Sequence, residues 1–463
     1  MSGMPVMGTE TEYGILAPAA PELDPGLLSA AVVACWDGPA TSAELDPAGP
    51  IPIEDAHNRF LGNGARLYVD HAHPEYSAPE TTNAVDAVTY DLAGDEIVRR
   101  AAVRASALLG TEVRLFKNNT DGKGASYGFH ENYQLPRTLP WDDLVAALLP
   151  HLVTRLPLTG AGRVGLGQRG GTPGFQLSQR ADFFERITGL DTTLRRPIVN
   201  TRDEPHARAS QWRRLHVIAG DANLAHTSRL LTIGTTAAVL AGAVASVLPA
   251  IELADPLAAI RAVSRDPSCT ALLDLADGRR VRALDVQQDY LDALHAWGEA
   301  DPAVLGLWQA TLDDLRREPA ACADRLDWAA KLRLLEQYRE REGLDWAAPR
   351  LAQIDLAYAD LDPGRSVHAA LVSAGRLRTV IPDEAVARAV AEAPADTRAF
   401  LRGLLVREHR GSLLAVDWAA VLVRSDRGRP VTLRLDDPTG ATRDALPDLA
   451  GRGLDAVLAA VGR

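Results

Sequence analysis

The chain is poor in cysteine and short of positive charge. Cys35, Cys269 and Cys322 are its 3 cysteines in 463 residues, too few and too scattered for a disulfide framework or a CxxC metal site. With 49 Lys+Arg against 61 Asp+Glu, the net charge is -12. Such a surface repels nucleic acid on average and excludes a general binder of phosphate backbone. The start, MSGMPVMGTETEYG, carries charge where an apolar signal core would sit, so the reducing cytoplasm is the expected compartment. There is no internal repeat and no GxxxxGKS/T phosphate loop. The longest apolar stretch, Thr235 to Leu253, nears membrane length, but it is Ala-rich, contains Pro249 and stands alone. A buried core helix is expected there, with no membrane partner.

What is present is an ordinary globular balance. Hydrophobic residues make up 46% and charged residues 24%, enough for a sizeable core. The first 220 or so residues alternate short β-type runs (ARLYVD, EVRLFKNN, GFQLSQR, RPIVNTR, RRLHVIAG) with Gly, Pro and Asn punctuation, interrupted by a helix from about Val85 to Leu109. From about Leu224 the period becomes helical, over 225–248, 283–298, 302–316, 324–342 and 349–361. Strands first and helices later imply an α+β fold with a largely antiparallel sheet backed by helices. EAPADTRAF at 392–400 reads as a linker. Beyond it, AVLVRSDRGRPVTLRLDD suggests a hairpin turning at Asp426-Arg427-Gly428, and LPDLAGRGLDAVLAAV a closing helix. The acidic, Pro-rich piece from Asp37 to Asp55 has little to bury and is expected to be a mobile loop over one rim of the site.

The chemistry gathers in the first strands. Glu10 and Glu12 lie at i and i+2 in GTETEYG, so both point to one face of a strand. NGARLYVD presents Tyr68 and Asp70 on one face, and HAHPEY follows with Glu75; Pro74 argues that the strand has ended. Two readings stand, dispersed surface acids or a convergent site. If Glu10, Glu12, Asp70 and Glu75 converge, each pair at about 4 Å repels by roughly 4 kcal/mol at an effective dielectric of 20, and the cluster needs cations. All-oxygen ligands favour Mg²⁺ or Mn²⁺ over zinc, and carboxylate-bound Mg²⁺ usually accompanies nucleotide phosphates. Downstream, Arg180 in QLSQR and Arg202 in NTRDEPH could supply planar donors to phosphate, while His130 in HENY and His216 in RRLHVI could complete a metal shell or sit in a core.

These segments, with SAPE, NNTDGKGASYG, AGDANLAHTS, LDWAAKLRLL and PADTRA, resemble nearly end to end the Pup-modifying family of carboxylate-amine ligase-like enzymes, which holds the Pup deamidase/depupylases and the Pup ligases. The resemblance implies a glutamine-synthetase-like curved sheet cradle over residues 1–392 and a small C-terminal α+β domain over 393–463. It implies ATP and Mg²⁺ as cofactors and Pup and pupylated proteins as partners; the oligomeric state stays open, with a monomer favoured. It assigns the central catalytic aspartate to Asp70 and metal coordination to Glu10, Glu12 and Glu75, joined by Tyr68, His130 and His216. Arg180 and Arg202 would touch phosphate or the reacting carbonyl, and His216 the nucleotide. Asp70-His71-Ala72-His73-Pro74-Glu75, one residue shorter than the ligase pattern, and DGKGASYG resemble the depupylase branch. The Asp37 to Asp55 piece is shorter than that branch usually carries. Amide hydrolysis on Pup is therefore the activity implied, with ligation through a γ-glutamyl phosphate, or binding of nucleotide or Pup without turnover, as the alternatives.

Overall fold

The computed structural model describes residues 5–42, 57–121, 126–165, 172–192 and 195–461. They form two compact units that do not follow chain order. One comprises Val6–Leu115, Glu204–Arg214 and Ile381–Arg463; the other contains Phe116–Asp203 and Leu215–Val380. Most of the loop expected from Asp37 to Asp55 lies outside the described residues, which resume at residue 57 after a strand over Ala40–Ser42.

In the first unit, antiparallel strands run in the order Met7–Glu12, His73–Ser77, Arg66–Asp70, Asn58–Leu61, Ala40–Ser42. Alternation gives this sheet two unlike faces. Thr9, Thr11, Tyr13, Leu67 and Tyr76 turn to the core, where the helices Pro25–Ala34 and Ala84–Leu109 cover them. The longer helix starts at Asn83, whose side chain accepts from the Asp86 amide, and ends at left-handed Gly110. Its Asp91 accepts from Thr9 and Thr11 at 3.4 and 3.1 Å, and its Asp95 from Tyr13 at 2.8 Å. Gly94 allows the close approach: a Cβ there would lie 2.3 Å from the Tyr76 ring. The other face of the sheet carries the acids.

The same unit holds the C-terminal segment. The strands Leu413–Val416, Ala420–Arg424 and Pro430–Arg434 pair antiparallel, and the hairpin turns where expected, with Gly428 left-handed. Helices Ala399–Glu408 and Leu454–Val461 close over this sheet in one apolar cluster that includes Phe60. Buried Arg398 and Arg402 both donate to Glu80, and Arg402 also donates to the Gly64 carbonyl at 2.8 Å. Against the cost of burial, the two guanidinia hold the Glu80 carboxyl at about 2.

In the second unit the strands are ordered Arg186–Gly189, Pro197–Asn200, Trp212–Val217 (its Leu215–Val217 end) and Phe129–Pro136, the first pair parallel. A helical core backs them, with Trp308, Trp328, Leu291 and Leu312 buried among Ala283–Trp297, Pro302–Arg317 and Asp327–Glu342. The expected core helix runs from His226 to Val244, earlier than the apolar stretch suggested, and Pro249 lies beyond its end. It is the one described helix long and apolar enough to cross a membrane, and 89% of it is buried inside the protein. The α+β class and the largely antiparallel pairing are as expected. Helices Pro25–Ala34 and Trp141–Thr154 are additions within the strand-rich half, and the helix expected over 324–342 begins only at Asp327, after a 3-10 turn.

Candidate active site

The acidic face is built by a hairpin that the sequence disguises. The strand Arg66–Asp70 does end before Pro74, but Pro74 is itself the second residue of a new strand, His73–Ser77, which pairs back with it through Asp70↔His73, Val69↔Pro74 and Tyr68↔Glu75. The two-residue turn, His71-Ala72, holds both residues left-handed, with φ of 44° and 69°. Positive φ at both centres makes the turn I′-like, whose twist matches a tight hairpin. Neither residue is the Asn or Gly such turns favour, so the backbone is strained there. Ser29 Oγ donates to the Ala72 carbonyl at 2.7 Å and helps hold it.

Register then aligns the acids. Glu12 pairs with Glu75 and Glu75 with Tyr68, so three side chains form one row across three strands. Asp70 lies two residues beyond Tyr68 on the same face, and Glu10 stands opposite Ser77. Carboxylate oxygens of Glu12, Asp70 and Glu75 all lie within 4.8 Å of one another. At that separation each pair repels by about 3.5 kcal/mol at an effective dielectric of 20. Burial, reinforced by Glu10, Glu12 and Asp70, pushes the Glu75 carboxyl well above the usual range. Burial and then Glu75 and Glu10 push the Tyr68 phenol up as well. Hard oxygen donors on buried, mutually repelling acids suit a divalent cation such as Mg²⁺.

The members differ in access. Glu75 is 2% exposed and Glu12 8%, whereas the Asp70 side chain is 40% exposed and meets His71 Nδ1 at 2.9 Å. Of these three carboxylates, Asp70 is the one open to solvent. Two cations on this face escaped the sequence reading. Arg66 stacks over the Tyr68 ring at 4.3 Å, and Arg214 Nη1 lies 3.4 Å from Glu10 Oε1. Period-2 alternation through Arg66, Tyr68 and Asp70 could have found the first; nothing local signals the second.

The second unit gathers the remaining candidates. Strand alternation splits HENY in two: His130 and Asn132 face one way, Glu131 and Tyr133 the other. Rings of His130 and His216 lie 4.8 Å apart, and His216 Nδ1 contacts Asn132 Oδ1 at 2.9 Å. An amide oxygen on Nδ1 orients the His216 ring as a partner behind a coordinating histidine does. Glu131 is instead structural, bound to buried Arg155 at 2.6 Å and accepting from Tyr133 at 2.7 Å. Arg202 is exposed, two residues past Asn200, the strand partner of His216. Arg180 is 1% exposed and donates to the Ile218 carbonyl at 2.5 Å. Around it Asp221, unnoticed in the sequence, accepts from Ser178 Oγ and from the amides of Gln179 and Ala161, each at 2.9 Å.

Comparison with known proteins decides the lineage. The family model described as Pup-ligase protein matches residues 5–422. The chain belongs to this family. It is 45% identical to the Pup deamidase/depupylase of Mycobacterium tuberculosis over 456 residues, covering 90% of each chain. Among solved structures, a Pup ligase in complex with Pup superposes with a TM-score of 0.83 at 35% identity, covering 95% of this chain and 90% of that one. A Pup ligase in complex with ADP gives 0.77 at 37%, covering 86% and 88%.

Proposed function

We propose that the protein hydrolyses the side-chain amide of the C-terminal residue of Pup, deamidating Pup-Gln to Pup-Glu and cleaving Pup-lysine isopeptides, with ATP and Mg²⁺ as bound cofactors. The carrying observation is the graded acid set: Glu12 and Glu75 buried, Asp70 accessible, all within 4.8 Å. Glu10, Glu12, Glu75 and Tyr68 hold metal on the first unit, and His130 and His216 serve metal or phosphate on the second. Arg202 and Arg180 act on phosphate or the reacting carbonyl. The higher identity to a named deamidase/depupylase supports the hydrolytic reading over the ligase one.

In this reaction Asp70 attacks the side-chain carbonyl carbon. The C–N bond breaks as the nitrogen takes a proton from water and leaves as ammonia or as the lysine amine. The hydroxide left behind then opens the resulting acyl-aspartate anhydride, which restores Asp70. Glu10, Glu12 and Glu75 would hold the Mg²⁺, whose chemistry there would be to supply positive charge near the developing oxyanion. The boundary near residue 392 is part of the proposal, supported by the three-stranded sheet that the C-terminal segment forms on its own.

The test is incubation with Pup ending in Gln, with Pup ending in Glu plus a lysine-bearing protein, and with a Pup conjugate, each with and without ATP. Ammonia release and conjugate cleavage that need ATP without consuming it once per turnover are expected. Conjugate formation with stoichiometric ADP would make the protein a ligase.

A further inference from the structure

We propose that the second unit carries a docking groove for a basic amphipathic helix of a partner protein. A groove of about 1130 Å³ runs between the start of the helix Trp141–Thr154, the end of the helix His226–Val244, the strand Arg186–Gly189 and the segment that follows Val244. Its floor is apolar, from Trp141, Val145, Ile187, Val244, Leu248 and Ile251. Ile187 and Val244 remain 39% and 43% exposed. A contiguous apolar floor with a polar rim is the usual form of a protein-binding surface.

The rim has one sign. Asp142, Asp143, Glu252 and Asp277 line the groove, and among the described residues no Lys, Arg or His does. Asp277 is paired with Arg279 at 2.7 Å. The other three acids are exposed and make no ion pair among the described residues. The helix dipole accounts for acids at 142 and 143, in the first turn of their helix, but not for Glu252, which comes from another segment. A complementary occupant sets an apolar stripe on the floor and Lys or Arg against both walls, and a helix ~10 Å wide fits a groove of this size over roughly two to three turns. A second copy of this chain, at -12, brings like charge to the rim.

The probe is a labelled Leu/Lys amphipathic peptide of about 15 residues, compared with a Leu/Glu peptide of the same apolar face, titrated with the full chain and read by anisotropy. Saturable binding of the Leu/Lys peptide is expected, at least about tenfold tighter than the Leu/Glu peptide. Val244→Arg and, separately, Ile187→Arg should each weaken it about tenfold or more while leaving the melting curve in place, because both side chains are partly exposed. Asp142→Asn with Glu252→Gln should weaken it and flatten its salt dependence. Glu336→Gln with Glu340→Gln, exposed acids outside the groove, should change nothing. The proposal is overturned by equal binding of the two peptides, by an equal loss in the Glu336/Glu340 control, or by no saturable binding. Self-association abolished by Val244→Arg would identify a second copy as the occupant and overturn it as well.

Discussion

Glu75→Gln should make the metal-free protein more stable while removing its response to Mg²⁺. Glu75 is 2% exposed and lies within 4.8 Å of Glu12 and Asp70. Each of these contacts costs about 3.5 kcal/mol at an effective dielectric of 20 when both partners are charged. Proton uptake by Glu75, whose carboxyl is pushed up by burial and by its neighbours, already relieves part of that cost. Solvent at the half-exposed Asp70 screens more. A net gain of roughly 1–3 kcal/mol is therefore expected from the neutral amide, which keeps an oxygen to accept the Tyr68 hydroxyl. At about 1 °C per kcal/mol for a chain of this length, the melting temperature in EDTA should rise by about 1–3 °C. Wild type should gain about 2.7 kcal/mol when Mg²⁺ stands a hundredfold above its Kd, and the variant much less. Differential scanning calorimetry in EDTA and across a Mg²⁺ titration reads both effects. A lower melting temperature for Glu75→Gln in EDTA, or equal stabilisation of both proteins by Mg²⁺, would refute the cation-site reasoning.

Asp70→Asn keeps size and removes the attacking charge, so turnover of Pup-Gln should fall by about 10³-fold or more while nucleotide affinity, by calorimetric titration, stays within about threefold; retained turnover would remove Asp70 from the chemistry. Acid should loosen the C-terminal segment through Glu80, whose folded value of about 2 lies below the ordinary 4.5. A depressed carboxyl contributes fully above pH 4.5 and is lost as pH falls towards 2, a gap of roughly 3 kcal/mol. Urea midpoints should drop across that window in wild type and much less in Glu80→Gln, which is already weaker at neutral pH because Arg398 and Arg402 lose their carboxylate. Glu131→Ala should cost about 3–5 kcal/mol by leaving Arg155 buried and unpaired, and Glu131→Met with Arg155→Met should recover most of it, as denaturant titration can measure.

The acids that matter were legible in the sequence because strand alternation is a local rule. Glu10 and Glu12, like Tyr68 and Asp70, share a face for no reason beyond spacing by two. Helices after residue 224 were legible for the same reason, as the 3.6-residue period needs no partner to be read. Relations between distant segments were not. Pro74 rightly signalled that the strand to Asp70 had ended, but not that the chain turns back at once through a left-handed His71-Ala72 pair into a new strand containing that proline, a turn that Ser29 helps hold by donating to the Ala72 carbonyl. HENY looked like one polar motif, and pairing split it into a histidine pair and a buried Glu131–Arg155 bridge. Local pattern decided which residues face the same way. Register and burial decided which acids meet, which one stays open to a substrate, and which charges are bound into the core, since those depend on strands and helices far apart in the chain.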